Sequence, residues 1–354
     1  MTHPTLRQYD TRGLTDWLTR AFEACGLEAK AAALTAHVLV RTNARGVETH
    51  GVARALVYVQ KLKSGELSPR PQVRYEERQG TLHCHADRGL GQVVVTHAVN
   101  EAVQRAANRG FVPVIIHDVG HLAALGMFAL QAAEAGMIAI VAQSTPPVMA
   151  LPGAKGAAIG NNPLAFASPV PGGAPLVFDI AASGVARGNV LAAAREQREI
   201  PLGWAIDDEG KPTTNAKSAL AGAMLPMAGH KGIGLAMMVQ CLAGSLSGAL
   251  PAAVTGATPG SAPSRVGAFL LVVNPDLVTG RAAYESHMRD WLKVYKLASG
   301  IEGRYPGERA ARLETQRLRS GIPLTDGVVA ELRTVGDLTG VTFVQESLAG
   351  AVDA

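Results

Sequence analysis

The run Thr49-His50-Gly51-Val52-Ala53-Arg54 sets an imidazole beside a hydroxyl and four residues ahead of a guanidinium. An imidazole exchanges protons near neutral pH. A guanidinium one helical turn later can clamp a carboxylate through two parallel hydrogen bonds while the imidazole faces the oxygen on the reacting carbon. The plainer account is a capping threonine, a surface histidine and a solvated arginine. A second imidazole comes in Asp118-Val119-Gly120-His121, directly after an apolar run. That position is the carboxyl end of a strand, where ligand sites of alternating α/β regions form, although a core histidine bonded to backbone fits there equally.

Ser144-Thr145-Pro146-Pro147 and Gly160-Asn161-Asn162-Pro163 carry small donors suited to phosphate or carboxamide groups, and they also read as turns. Asp179 is the only charge between Lys155 and Arg187, so a buried carboxylate there needs a partner such as an imidazole or a cofactor group. Lys231, in Gly229-His230-Lys231-Gly232, stands where an uncharged helix begins, and a cation at a helix N-terminus suits a pyrophosphate or ribose phosphate. Arg304-Tyr305-Pro306-Gly307-Glu308 reads most simply as a tight turn before a helix.

Elements that position these groups follow from periodicity. Helices are expected from about Leu14 to Cys25, Glu28 to Thr42, Leu56 to a stop at Gly65, Val93 to Arg109, Phe128 to Glu134, from His230, from Ser286 to Leu297, and a basic tail helix from Glu308 to Arg319. TLHCHAD, FVPVIIHDV, MIAIVAQS, APLVFDIAAS and AFLLVVNPDL read as strands, the last being the final strand, and PLGWAIDDEGKPTT as a loop. Gly232 to Ser264 lacks charge, yet its Gly, Ser, Thr, Pro and Gln240 content fits a buried helix and loop rather than a membrane span. No internal repeat or low-complexity tract interrupts the chain.

The 354 residues, 47% hydrophobic and 18% charged, suffice for two or three compact lobes. A net charge of +4, spread without like-charge blocks, gives no footprint for nucleic acid. Cys25, Cys84 and Cys241 form no CxxC pair and read as reduced, mostly buried thiols, and the first residues are no signal peptide; a cytoplasmic protein is expected. The nearest dinucleotide fingerprint, Gly89-Leu90-Gly91, lacks the third glycine, and phosphate-loop, zinc-helix and nucleophile-elbow patterns are missing. No metal site is expected.

Taken together, RGVETHGVAR, GHLAALG, AAEAGMIAI, IGNNPLAFASP, FDIAASGVARG, IPLGWAIDDEGKPTT, MLPMAGHKGIGLAMMV, RYPGER and GIPL resemble the malate/L-lactate dehydrogenase family that lacks a Rossmann domain, in family order from about residue 10 to 325. That family includes ureidoglycolate and sulfolactate dehydrogenases and cyclic imino-acid reductases. The resemblance implies an α/β fold with a mixed, largely antiparallel central sheet of non-Rossmann topology, flanking helices and a helical lobe built from both termini. It implies an N-terminal lobe over 1–75, the first part of the sheet domain over 76–120, an NAD(P)-binding domain over 121–300 and a C-terminal helical segment over 301–354 that joins the first lobe. It makes His50 and His121 the acid/base candidates, and Thr49, Arg54 and Thr145 the substrate contacts. Cofactor contacts fall on Ser144, Asp179, Ile180, Ala181, Lys231, Pro306, Gly307 and Glu308. The implied protein is a cytoplasmic homodimer that uses NAD or NADP to move a hydride at C2 of a small 2-hydroxy or 2-oxo acid, with reduction of cyclic imino acids as the alternative. Thr49 replaces a usual serine, His121-Leu122-Ala123-Ala124-Leu125 leans toward the reductase pattern, GNNP stands for GTNP, and the loop at 252–263 lacks the family's tyrosine and acidic residues.

Overall fold

A computed structural model describes residues 6–249, 266–300 and 303–343, so the 252–263 loop lies outside the described residues. The chain opens with strand β1 (Leu6–Tyr9) and helices α1 (Thr11–Glu23), α2 (Ala29–Ala44) and α3 (Ala55–Lys63). Asp10 starts α1 by accepting from Gly13 N at 2.7 Å, the side-chain cap that a helix start needs for its unpaired amides. Leu14, Trp17, Leu18, Ala21 and Phe22 then fall on one buried face, as a 3.6-residue period requires.

The central sheet has seven strands in the order β2-β3-β4-β11-β5-β6-β7. They are β2 (Arg74–Arg78), β3 (Thr81–His85), β4 (Phe111–His117), β5 (Ile138–Gln143), β6 (Leu164–Ser168), β7 (Leu176–Ile180) and β11 (Ala268–Val273). Only β3 and β4 run parallel; every other neighbouring pair is antiparallel. A parallel pair needs a crossover, and helix α4 (Gly91–Ala106) supplies it. Val112, Val114 and Ile116 of β4 alternate inward to join Leu270, Val272, Val141 and the alanines of α4 in one core, with α5 (Gly126–Glu134) beside them. The mixed, mainly antiparallel sheet matches the expected fold class.

After β7 the chain forms α6 (Arg187–Arg195), a small sheet of β8 (Ala205–Ile206), β9 (Pro212–Thr213) and β10 (Ala223–Met224), the helix α7 (Ala216–Ala221) and α8 (His230–Val239). The expected loop PLGWAIDDEGKPTT thus contains two short strands. Helix α8 runs on into a π-turn, Gln240–Ser245. It is not the buried helix expected, because Met237 and Met238 are 56% and 42% exposed. Nor are the thiols mostly buried: Cys84 is, but Cys241 is exposed and Cys25 half-buried.

Beyond β11 come α9 (Pro275–Val278), α10 (Arg281–Ser299), α11 (Glu308–Ser320), β12 (Ile322–Thr325) and α12 (Asp326–Thr339). The strand from Ala268 and the helix from Glu308 form where expected, but neither is the last of its kind, since β12 and α12 follow. Both return to the start of the chain. β12 pairs antiparallel with β1, and Trp17 Nε1 donates to the carbonyls of Val341 and Thr342 at 3.1 Å. Leu332 and Val335 of α12 enter one apolar cluster with Trp17, Phe22, Leu39 and Tyr58, which makes the helical lobe a product of both ends.

Leu39 is fully buried in that cluster. Leu39→Ala is expected to lower the unfolding free energy by about 2–5 kcal/mol, read as a fall in the urea midpoint at unchanged m-value.

Candidate active site

The His50 loop is shaped by one buried amide. Asn43, 1% exposed near the end of α2, accepts the Val52 N–H through Oδ1 at 2.6 Å. That bond pulls residues 48–54 into two successive 3-10 turns, Glu48–His50 and Val52–Arg54. A Cβ on Gly51 would stand 1.8 Å from the same oxygen and 3.0 Å from the Leu39 carbonyl, so a side chain has no room there. Arg317 of α11 adds a brace, donating to the Asn43 carbonyl at 2.6 Å and to Glu48 Oε1 at 2.7 Å. Arg54 Nε in turn donates to the Thr49 carbonyl at 2.7 Å, and Thr49 Oγ1 lies 2.9 Å from His50 Nδ1.

His121 follows β4 on a loop held by close backbone contact. Hypothetical Cβ atoms at Gly91 and Gly120 would come within 2.7 Å of the His121 carbonyl and 2.9 Å of the Gly89 carbonyl. The Gly-Leu-Gly sequence therefore serves the packing of this loop against α4. Tyr58 of α3 places its hydroxyl 3.0 Å from His121 Nδ1, and Gln92 of α4 donates to that hydroxyl at 3.2 Å and to the His121 carbonyl at 3.3 Å. Gln143, at the end of β5, accepts from Leu122 N and donates to the Gly120 carbonyl, each at 3.1 Å.

These loops bring the two imidazoles to 6.1 Å between ring centroids. With each Nδ1 engaged, the Nε2 atoms make no hydrogen bond among the described residues. Burial, reinforced by the Arg54 charge, pushes His50 down to about 4. Burial, then His50, Arg54 and Lys61, pushes His121 down to about 3. Both rings are neutral near pH 7 and stand ready to accept a proton.

Asp179, on β7, accepts from Gly126 N at 2.8 Å at the start of α5. Its side chain is open to water in the cleft, though protein packs densely around it. Its pKa rises to about 6 because this crowding outweighs the opposing hydrogen bonds from Gly126 and Leu125.

Three joined cavities form one groove. The middle one, about 430 Å3, is lined by Thr49, His50, Arg54, His121, Thr145, Asn161, Asp179, Ala181 and Arg187. An inner cavity of about 310 Å3 shares Arg54, His121, Thr145 and Arg187 and adds Lys61, Arg88, Asp118 and Ser144. An outer one of about 470 Å3 shares Asp179 and continues past Arg45, Pro306, Gly307 and Arg309. Apolar walls beside the imidazoles and guanidinia at the outer end form a donor set that fits a dinucleotide.

The predicted residues divide accordingly. Thr49, His50, Arg54, His121, Ser144, Thr145, Asp179, Ala181, Pro306 and Gly307 all line the groove. Ile180 and Lys231 do not appear in its lining. Lys231 is exposed at the start of α8, whose Gly232 backbone packs against the Ala182 carbonyl. Glu308 faces away, accepting from Tyr305 N at 3.0 Å and pairing with Lys296 at 2.6 Å. Asn162 is spent internally, accepting from Thr145 N at 2.9 Å and donating to the Ala236 carbonyl at 2.8 Å. Sequence reasoning missed Arg187, Tyr58 and Gln92. Arg187 had one signal, being the next charge after Asp179; Tyr58 and Gln92 look like ordinary helix residues.

A family model described as malate/L-lactate dehydrogenase matches residues 9–333. The (2R)-3-sulfolactate dehydrogenase (NADP(+)) of Chromohalobacter salexigens is 34% identical, covering 88% of this chain and 93% of that protein. The ureidoglycolate dehydrogenase (NAD(+)) of Escherichia coli O157:H7 is also 34% identical, covering 86% and 88%. The delta(1)-pyrroline-2-carboxylate/delta(1)-piperideine-2-carboxylate reductase of Pseudomonas aeruginosa is 32% identical, covering 80% and 86%. Among solved structures, the sulfolactate dehydrogenase of Methanocaldococcus jannaschii superimposes with a TM-score of 0.83 at 28% identity, covering 96% of this chain and 98% of that one.

Gly51→Ala is expected to displace the His50 loop while leaving the two cores intact. Activity should fall at least about tenfold, while thermal stability drops by no more than the roughly 1–3 kcal/mol of an overpacked site. Unaltered activity would show that Asn43 does not set the loop.

Proposed function

This chain belongs to the malate/L-lactate dehydrogenase family and is an NAD(P)-dependent oxidoreductase; from that premise we propose that it acts at C2 of a 2-hydroxy or 2-oxo acid bearing a second anionic group. The observation that carries this reading is the pair of guanidinia, Arg54 and Arg187, lining the same cavity as both imidazoles. A cavity with two such groups suits a substrate with an anion for each. Arg54 takes the carboxylate next to the reacting carbon, and Arg187 takes the distal acid group.

The nicotinamide, when bound, accepts or supplies the hydride. His50 or His121 exchanges the hydroxyl proton through Nε2, the Thr49 and Tyr58 hydroxyls holding each ring from behind through Nδ1. Neutral imidazoles suit oxidation directly, because the base is ready without prior deprotonation. For reduction, a carboxylate on Arg54 offsets one positive charge that, after burial, holds both rings down, and so favours a protonated ring that can give its proton to the forming alkoxide. The groove between Asp179 and Pro306–Gly307 holds the cofactor, with Ser144 and Ala181 among its contacts and the exposed Arg309 attracting its phosphates, Arg45 being already paired with Glu314.

Cyclic imino-acid reduction is the second reading, and the low imidazole pKa values favour it, since a protonated imine brings its own proton. The crowding of cations in the inner cavity disfavours a cationic substrate. The exposed Trp291, Val294 and Leu297 on α10 support a homodimer as the working form. No helix among the described residues is long and apolar enough to cross a membrane, and a cytoplasmic enzyme without nucleic-acid partners completes the proposal.

Substrate class is tested by following reduced-cofactor absorbance with a panel of 2-oxo dicarboxylates, 2-oxo monocarboxylates and cyclic imino acids, using NADH and NADPH. Arg187→Gln should raise KM for a dicarboxylate about 10–100-fold, as expected for a lost charged hydrogen bond, with a much smaller effect on a monocarboxylate. Equal losses on both would remove Arg187 from the distal site.

The pH profile tests the acid/base assignment. For oxidation of a substrate that does not itself titrate in this range, kcat/KM of wild type should inflect near Asp179's pKa of about 6. In Asp179→Asn it should stay flat between about pH 5 and 8, because both imidazoles remain neutral there. A surviving inflection at the ordinary histidine value of about 6.5 would overturn the assignment.

A further inference from the structure

On the far side of the Arg304–Glu308 turn, a second cavity of about 520 Å3 opens between α10 and α11. Arg289, Lys293 and Lys296 line it from α10, at i, i+4 and i+7, so a single helix face carries all three. Arg312 enters from α11. The only carboxylate in the lining is Glu308, whose two oxygens already accept from Lys296 Nζ at 2.6 Å and Tyr305 N at 3.0 Å. Arg289 makes only a loose 3.8 Å contact with Glu285. Lys293 and Arg312 make no ion pair or hydrogen bond among the described residues.

Arg289, Lys293 and Arg312 are exposed to solvent. They surround a concavity backed by Leu292 and Tyr305, 6% and 4% exposed. Its floor is kept low by Gly173, where a Cβ would come 2.8 Å from the Tyr305 hydroxyl. Like charges gathered over a low-dielectric wall repel one another, and an entering anion relieves that repulsion while losing little water-screened attraction.

We propose that this cavity is a binding site for a compact polyanion, a small molecule carrying phosphate or several carboxylates, separate from the catalytic groove. Tyr305 walls both cavities, so the test must keep them apart. Full-length protein is titrated calorimetrically with inorganic pyrophosphate, once with the groove saturated by NAD+ and once by NADP+, with citrate run in parallel. The expected result is one saturable pyrophosphate site per chain under both conditions. The Lys293→Gln/Arg312→Gln double variant should weaken it at least about tenfold, the charge-preserving Lys293→Arg/Arg312→Lys variant should retain it, and kcat should be unchanged in both. Citrate binding of similar strength marks a general polyanion site, and pyrophosphate binding alone marks a phosphate site; either supports the proposal. Three results overturn it: no saturable binding, undiminished binding in the glutamine variant, or binding lost with NADP+ but kept with NAD+, which would assign these cations to the cofactor's extra phosphate.

Discussion

The cleft depends on the hydrogen bond by which Tyr58 meets His121. Tyr58 belongs to a short helix of the terminal lobe, His121 to a loop at the edge of the central sheet, and their 3.0 Å contact lies where the two cores abut. Tyr58 is 1% exposed and Gln92, which donates to its hydroxyl, is fully buried. A buried polar chain of this kind is costly when broken and geometrically exacting when complete. It fixes which nitrogen of His121 faces the cavity. It also sets where the His50 loop must lie, because α3 begins directly after that loop.

The sheet reaches a nicotinamide chemistry by a route other than a parallel, doubly wound one. In a Rossmann arrangement, strand carboxyl ends and a glycine-rich turn gather the phosphates. In this sheet a single parallel pair survives, and its turn glycines are consumed by contact with the His121 loop. The cations that line the groove instead come from separate elements, Arg54 before α3, Arg187 at the start of α6 and Arg309 on α11. That dispersal leaves room for the family's substrate range without altering the sheet.

The legible parts of the fold were those with strong local signals. β4, β5 and β11 are continuous apolar runs, and α1 and α2 carry clear helical periodicity. β6 went unread because LAFAS alternates alanine with larger residues and has no β-branched side chain. β1 and β12, four residues each, exist through pairing with one another across the whole chain, which no local window can reveal. The same limit applies to the site. His50, His121, Arg54 and Asp179 are conspicuous by residue type, and all four line the groove. Tyr58 and Gln92 matter through a tertiary contact, and Glu308 sits in a turn whose glycine, at φ +104, turns its carboxylate to the opposite side.

The brace from Arg317 to Glu48 spans 269 residues of sequence. A nascent chain leaving the ribosome therefore carries its His50 loop unbraced through most of synthesis, and the sheet too waits for its central strand β11, residues 268–273, before it can close. Such remote contacts slow folding. A product truncated before α11 lacks the Arg317 brace, so the His50 loop takes its final support only after nearly all of the polypeptide has been made.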